Sequence, residues 1–115
     1  MKFIIKLIFA AIAVIIASYL LPGVDVNSFL TAIILAAVLA LLNATLKPLL
    51  VILTIPITVL TLGLFLLVIN ALIILFADWL IPGFDVANFW WALAFSLILS
   101  ILVSIFESLI KSDKE

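Results

Sequence analysis

The 115-residue sequence contains neither cysteine nor histidine. It therefore offers no thiolate nucleophile and no imidazole base, and it leaves the redox compartment unmarked. Charge is scarce as well: five basic and six acidic residues give a net charge of −1, with no basic footprint for nucleic acid. The carboxylates stand near the C-terminus and beside the turns, so no acid–base pair is expected. No enzymatic activity, cofactor, metal site or small-molecule substrate follows from such a chain.

What is present is apolar. Hydrophobic residues make up 70% of the chain and the mean hydropathy is +1.70, against about 45–50% apolar residues in an ordinary soluble domain. Uncharged apolar runs of roughly 18 residues read as membrane-spanning helices, so the bilayer is the expected partner. Four spans are expected, at about 3–21, 29–46, 63–81 and 89–108. Each covers roughly 27–30 Å at helical rise. The first, with Lys2 and Lys6 ahead of an apolar run, has the outline of a signal peptide. However, residues 7–21 find an internal counterpart at 67–81, which favours a retained helix.

That counterpart belongs to a longer repeat. LPGVDVNSF at 21–29 returns as IPGFDVANF at 81–89, displaced by 60 residues. Pro22 and Pro82 disfavour helix at the preceding residue, Gly23 and Gly83 suit tight turns, and Asp25 and Asp85 are polar. Ser28 and Asn88 are good N-caps for the helices that follow. The phrase therefore reads as a short turn joining two membrane helices, used twice. Tyr19, Trp79, Trp90 and Trp91 flank these turns, as interfacial aromatics do, and Lys2, Lys6, Lys47, Lys111 and Lys114 lie at the opposite ends of the spans. The positive-inside rule then predicts both termini inside and both turns outside. Two spans per repeat predict halves of the same orientation, related by an axis along the membrane normal. The expectation is an all-α membrane protein forming one domain: repeat one at about 3–46, a connection at 47–62, repeat two at about 63–108 and a polar tail at 109–115.

The connection holds Lys47–Pro48 and Pro56 in an otherwise apolar stretch, so span two is expected to stop at Lys47. A Pro-broken re-entrant or interfacial segment is predicted there; a fifth span is the rival and would break the charge pattern. Asn43 and Asn70 are expected to hydrogen-bond this segment, with Lys47, Thr54 and Pro56 forming its polar part and Thr58 and Thr61 bonding locally. A polar constriction for an ion or solute is the functional alternative. Small residues recur every four positions as Ala32, Ala36, Ala40 and Ala44 in span two. Ala92, Ser96, Ser100 and Ser104 answer them in span four, with Ser108 continuing the row. Such rows let helices approach closely in lipid, and spans two and four are expected to pack through them. Asp25, Asp78 and Asp85 read as solvated charges near the outer turns, not as a metal site.

The elements Leu21–Pro22–Gly23, Asp25, Asn43, Lys47–Pro48, Thr54–Ile55–Pro56, Gly63–Leu64–Phe65, Asn70–Ala71 and Pro82–Gly83 occur in order along nearly the whole chain. In this they resemble the phage-holin-like family of four-span bacterial membrane proteins (the YvlD type). The resemblance implies a bacterial inner-membrane protein that forms holes by self-association as a homo-oligomer. A non-pore role in envelope homeostasis or stress is the alternative. A small transporter ranks below both, because the spans hold no charge at mid-depth. Single cysteines at Asn27, Ala87 and Ser112 test the topology: an impermeant thiol reagent applied to intact cells should label 27 and 87 but not 112. Labelling at 112 and not at 87 would revive the five-span arrangement.

Overall fold

The computed structural model describes residues 2–114, with side chains as far as 109. Helix α1 (Lys2–Leu20) leads through strand β1 (Val24–Val26) into α2 (Phe29–Leu53). A short α3 (Ile55–Leu60) connects to α4 (Phe65–Leu80), strand β2 (Phe84–Val86) and α5 (Phe89–Lys114). By length and composition α1, α2 and Phe89–Leu109 of α5 suffice to cross a membrane, while α4 is a shorter apolar helix of 16 residues. That is about 24 Å at 1.5 Å per residue. Residues 109–114 were expected as a separate polar tail; their backbone continues α5, and the side chains of Lys111, Ser112 and Lys114 lie outside the described residues.

The two proline–glycine turns are more than helix connectors. Their V-D-V and F-D-V segments pair as an antiparallel two-stranded sheet with Asp25 opposite Asp85, Val24 opposite Val86 and Val26 opposite Phe84. Alternation sets the faces: Val24, Phe84 and Val86 are buried, whereas Asp25 and Asp85 are exposed. The ladder continues beyond the strands, with the Asn27 amide donating to the Gly83 carbonyl at 2.9 Å and the Ala87 amide to Gly23 at 2.8 Å. The helix starts match too. Ser28 Oγ accepts from the Thr31 amide at 3.2 Å, and Asn88 Oδ1 accepts from the Trp91 amide at 3.1 Å. Phe84 closes the end of the bundle from above, its ring centroid 5.7 Å from that of Phe95.

Beneath the sheet, α1 packs on α2 and α5, and α4 packs on the same two helices. Thus α1 faces α4 and α2 faces α5 across the two diagonals. The expected contact between the second and fourth spans is therefore not made: among the described residues α2 and α5 do not pack directly on each other. Small residues outside the two rows are packed into the bundle as well. Ala11, Ala13 and Ala17 of α1, and Ala71 and Ala77 of α4, are completely buried. Lipid gives apolar side chains no reason to leave it for protein, so association depends on close packing of this kind.

The connection also differs from expectation. The second helix does not stop at Lys47 but runs through Pro48 to Leu53. A proline inside a helix costs about 3 kcal/mol. Leaving the helix within an apolar environment would strand several backbone groups at several kcal/mol each, so continuing is the cheaper outcome. The chain turns instead at Thr54, and Pro56 falls in the first turn of α3, where its missing N–H matters least. The end of α3 is a Schellman turn: the Gly63 amide reaches the Thr58 carbonyl at 2.8 Å and the Leu62 amide reaches Val59 at 3.1 Å. Leu62 occupies its left-handed position at φ 57°, where glycine is usual.

Positive φ is also found at Gly63 (89°) and Gly83 (91°). A Cβ at Gly63 would meet nothing within 4 Å, whereas one at Gly83 would lie 2.6 Å from the Asn27 amide group. Gly63→Ala should cost only the left-handed strain, roughly 1–2 kcal/mol. Gly83→Ala should cost more, because it also displaces Asn27 from the sheet end. Thermal unfolding in detergent checks the order; equal losses would contradict the close approach of the two turns.

Candidate functional site

Between α1, α2 and α5 the bundle opens into a groove of about 450 Å³. Its floor is one face of α1, carrying Phe3, Lys6, Leu7, Ala10 and Val14. One wall is α2, with Ala36, Leu39, Ala40 and Asn43, and the other is α5, with Leu99, Ser100, Val103, Ser104 and Glu107. The spacings are those of single helix faces. Counting 1.5 Å per residue from the helix ends at the sheet, Val14 and Ala36 lie about 10 Å down, Lys6 and Asn43 about 21 Å and Glu107 about 27 Å. The deep end is apolar, and the charged groups gather at the end remote from the sheet.

The small-residue rows explain the shape. At the sheet end Ala32, Ala36, Ala92 and Ser96 are buried, while Ala40, Ala44, Ser100 and Ser104 further down are exposed. Ala36 and Ala40 face the groove from one side, and Ser100 and Ser104 face it from the other. The rows therefore share a cleft without meeting across it. The buried Ser96 hydroxyl finds no partner among the described residues.

The asparagines do not behave as the sequence suggested. Asn43 is exposed and lines the groove, whereas Asn70 is half-buried and does not line it. Among the described residues neither supplies a hydrogen bond to the chain around Pro56. Hydroxyls do so instead. Thr54 Oγ1 donates to the Leu50 carbonyl at 2.7 Å and lies 3.4 Å from Thr58 Oγ1. Thr61 Oγ1 donates to the Ile57 carbonyl at 3.0 Å and accepts from the amide of Phe65, the first residue of α4, at 3.1 Å. A hydroxyl that can reach its own preceding turn satisfies local backbone more cheaply than an amide on another helix. Lys47 is half-buried and Pro56 exposed. At the other end Pro22, Asp25, Pro82 and Asp85 are exposed around the sheet, with Gly23 and Gly83 half-covered. Asp78 Oδ2 accepts from the Val86 amide at 3.2 Å, holding β2 to the end of α4. Lys6 entered the sequence reading only as a flanking charge and Glu107 not at all; the packing of α1 against α5 brings them to one groove.

An apolar helical bundle with a polar-mouthed groove defines a class of small multi-pass membrane protein. A family model described as "Mycobacterial 4 TMS phage holin, superfamily IV" matches residues 1–105, and the chain belongs to that family. It is 38% identical over 111 residues to the uncharacterized protein SCO3922 of Streptomyces coelicolor, covering 88% of this chain and 89% of the relative. It is 36% identical over 101 residues to the uncharacterized membrane protein YvlD of Bacillus subtilis, covering 87% and 85%. No solved structure matches it.

The difference in burial along the rows gives a direct test. Ala92→Leu, at a completely buried site, should cost roughly 1–3 kcal/mol by overpacking. Ala40→Leu and Ser100→Leu, which project into the groove, should leave thermal stability nearly unchanged. Losses at Ala40 and Ser100 matching that at Ala92 would mean that the rows meet along their whole length.

Proposed function

We propose that this holin-family protein opens holes in the bacterial inner membrane by self-association, with the groove between α1, α2 and α5 turned toward the hole. The observation that carries this reading is the convergence of polar side chains. Lys6, Asn43, Ser100, Ser104 and Glu107, drawn from three helices, line one groove of the bundle. Polar groups in spanning segments tend to face the bundle interior or water. In an assembly of several copies, the same groove is the surface able to line a wet passage. The helix faces away from it, with exposed Ile34, Leu41 and Leu72, suit lipid.

The accompanying topology has both termini inside, the sheet outside and two parallel-oriented two-helix repeats. Support for the repeats comes from hydrogen bonds at positions 60 apart: Asn27–Gly83 with Ala87–Gly23, and the caps at Ser28 and Asn88. The segment from Thr54 to Leu64 forms an interfacial or re-entrant apolar corner; Leu60 and Leu62 are among its exposed side chains.

Controlled expression with membrane potential recorded tests the function. The reading predicts abrupt depolarisation at a threshold level. It also predicts that Ser100→Cys becomes reactive toward a hydrophilic thiol reagent only after that point. Unchanged permeability at full expression would overturn hole formation and leave a non-pore role in the envelope.

A further inference from the structure

We infer that the groove holds one phospholipid with a zwitterionic primary-amine headgroup, of the phosphatidylethanolamine class. The polarity runs in the sense that a lipid requires. Ala10, Val14, Ala36, Leu39 and Leu99 make the deep part apolar, and Lys6, Asn43, Ser104 and Glu107 sit toward the end remote from the sheet. A lipid seated there has its tail beside the deep residues and its head at that membrane surface. The α1 floor from Phe3 to Val14 is about 16 Å long, which suits an acyl chain lying along the helix.

Charge selects the headgroup. Among the described residues that line it, the mouth presents a cation, Lys6, and an anion, Glu107. A zwitterion offers a partner to each, whereas an anionic lipid offers one to Lys6 alone. The Lys6 ammonium is a compact donor for the phosphate oxygens, and the Glu107 carboxylate can accept charge-assisted hydrogen bonds from a primary ammonium. A trimethylated choline nitrogen has no N–H to donate to Glu107. A glycerol headgroup brings no positive charge to it. The inference stands independently of hole formation, since it concerns the unassembled protein.

Purified protein, stripped of lipid in detergent, can be mixed with phosphatidylethanolamine, phosphatidylcholine and phosphatidylglycerol of identical acyl chains. Native mass spectrometry then counts the adducts. One phosphatidylethanolamine should bind with a preference over the other two. Glu107→Gln should lower its affinity by roughly tenfold, as loss of a charge-assisted hydrogen bond does, and erase the preference over phosphatidylcholine. Lys6→Gln should weaken all three lipids together. Ala40→Phe, filling the groove from an exposed position, should abolish the adduct while circular dichroism and size-exclusion profiles stay unchanged. Equal binding of the three lipids, a preference for phosphatidylglycerol, or adducts that survive Ala40→Phe would each overturn the site.

Discussion

The structure depends on the pairing of two three-residue strands outside the helical bundle. Each of the helix hairpins, α1–α2 and α4–α5, ends in the same proline–glycine turn, and a turn of that kind leaves backbone groups unpaired. Here each turn supplies the partner for the other, with Asn27 bonded to Gly83 and Ala87 bonded to Gly23. The pairing sets two carboxylates, Asp25 and Asp85, directly opposite each other, an arrangement that is mildly unfavourable. Both face outward, where water screens them. The arrangement places α1 beside α5 and α2 beside α4, and so decides which helices meet.

Close contact near the sheet and separation away from it follow from this clasp. Phe84, Phe95, Ala32 and Ala92 fill the sheet end completely. Further down, α2 and α5 occupy a diagonal and present Ala40, Ala44, Ser100 and Ser104, side chains too short to bridge the gap. The groove is thus a consequence of small residues set at positions where no neighbour closes in. Its polar mouth arises because Lys6, Asn43 and Glu107 reach similar depths on three different helices.

Much of this was legible in the sequence, because its main signals are local. Apolar run length marked the helices, the proline–glycine pairs marked their ends, and Ser28 and Asn88 marked the returns. The 60-residue displacement also pointed to equivalent environments. What was not legible depends on the neighbours a residue acquires. Pro48 reads as a stop when judged from propensity alone, yet an apolar surrounding makes an interrupted helix costlier than a kinked one. A three-residue strand is too short to announce itself by alternation. The row from Ala32 to Ala44 has the spacing of a packing seam, but whether a row is a seam or the wall of a cleft depends on the helix opposite. Lys6 and Glu107 are 101 positions apart in the chain, and nothing local connects them.

Disulfide formation within membranes tests the clasp-and-groove arrangement most directly. A disulfide requires Cα atoms about 4.4–6.8 Å apart. Asp25 and Asp85, opposite each other in the ladder, fall in that range at about 5.5 Å or less. Ala40 and Ser100 face each other from helices that do not pack together. On mild oxidation the Asp25→Cys/Asp85→Cys pair should close readily. The Ala40→Cys/Ser100→Cys pair should stay reduced and be bridged only by a longer bifunctional reagent. Rapid closure of the second pair, or failure of the first, would contradict the account.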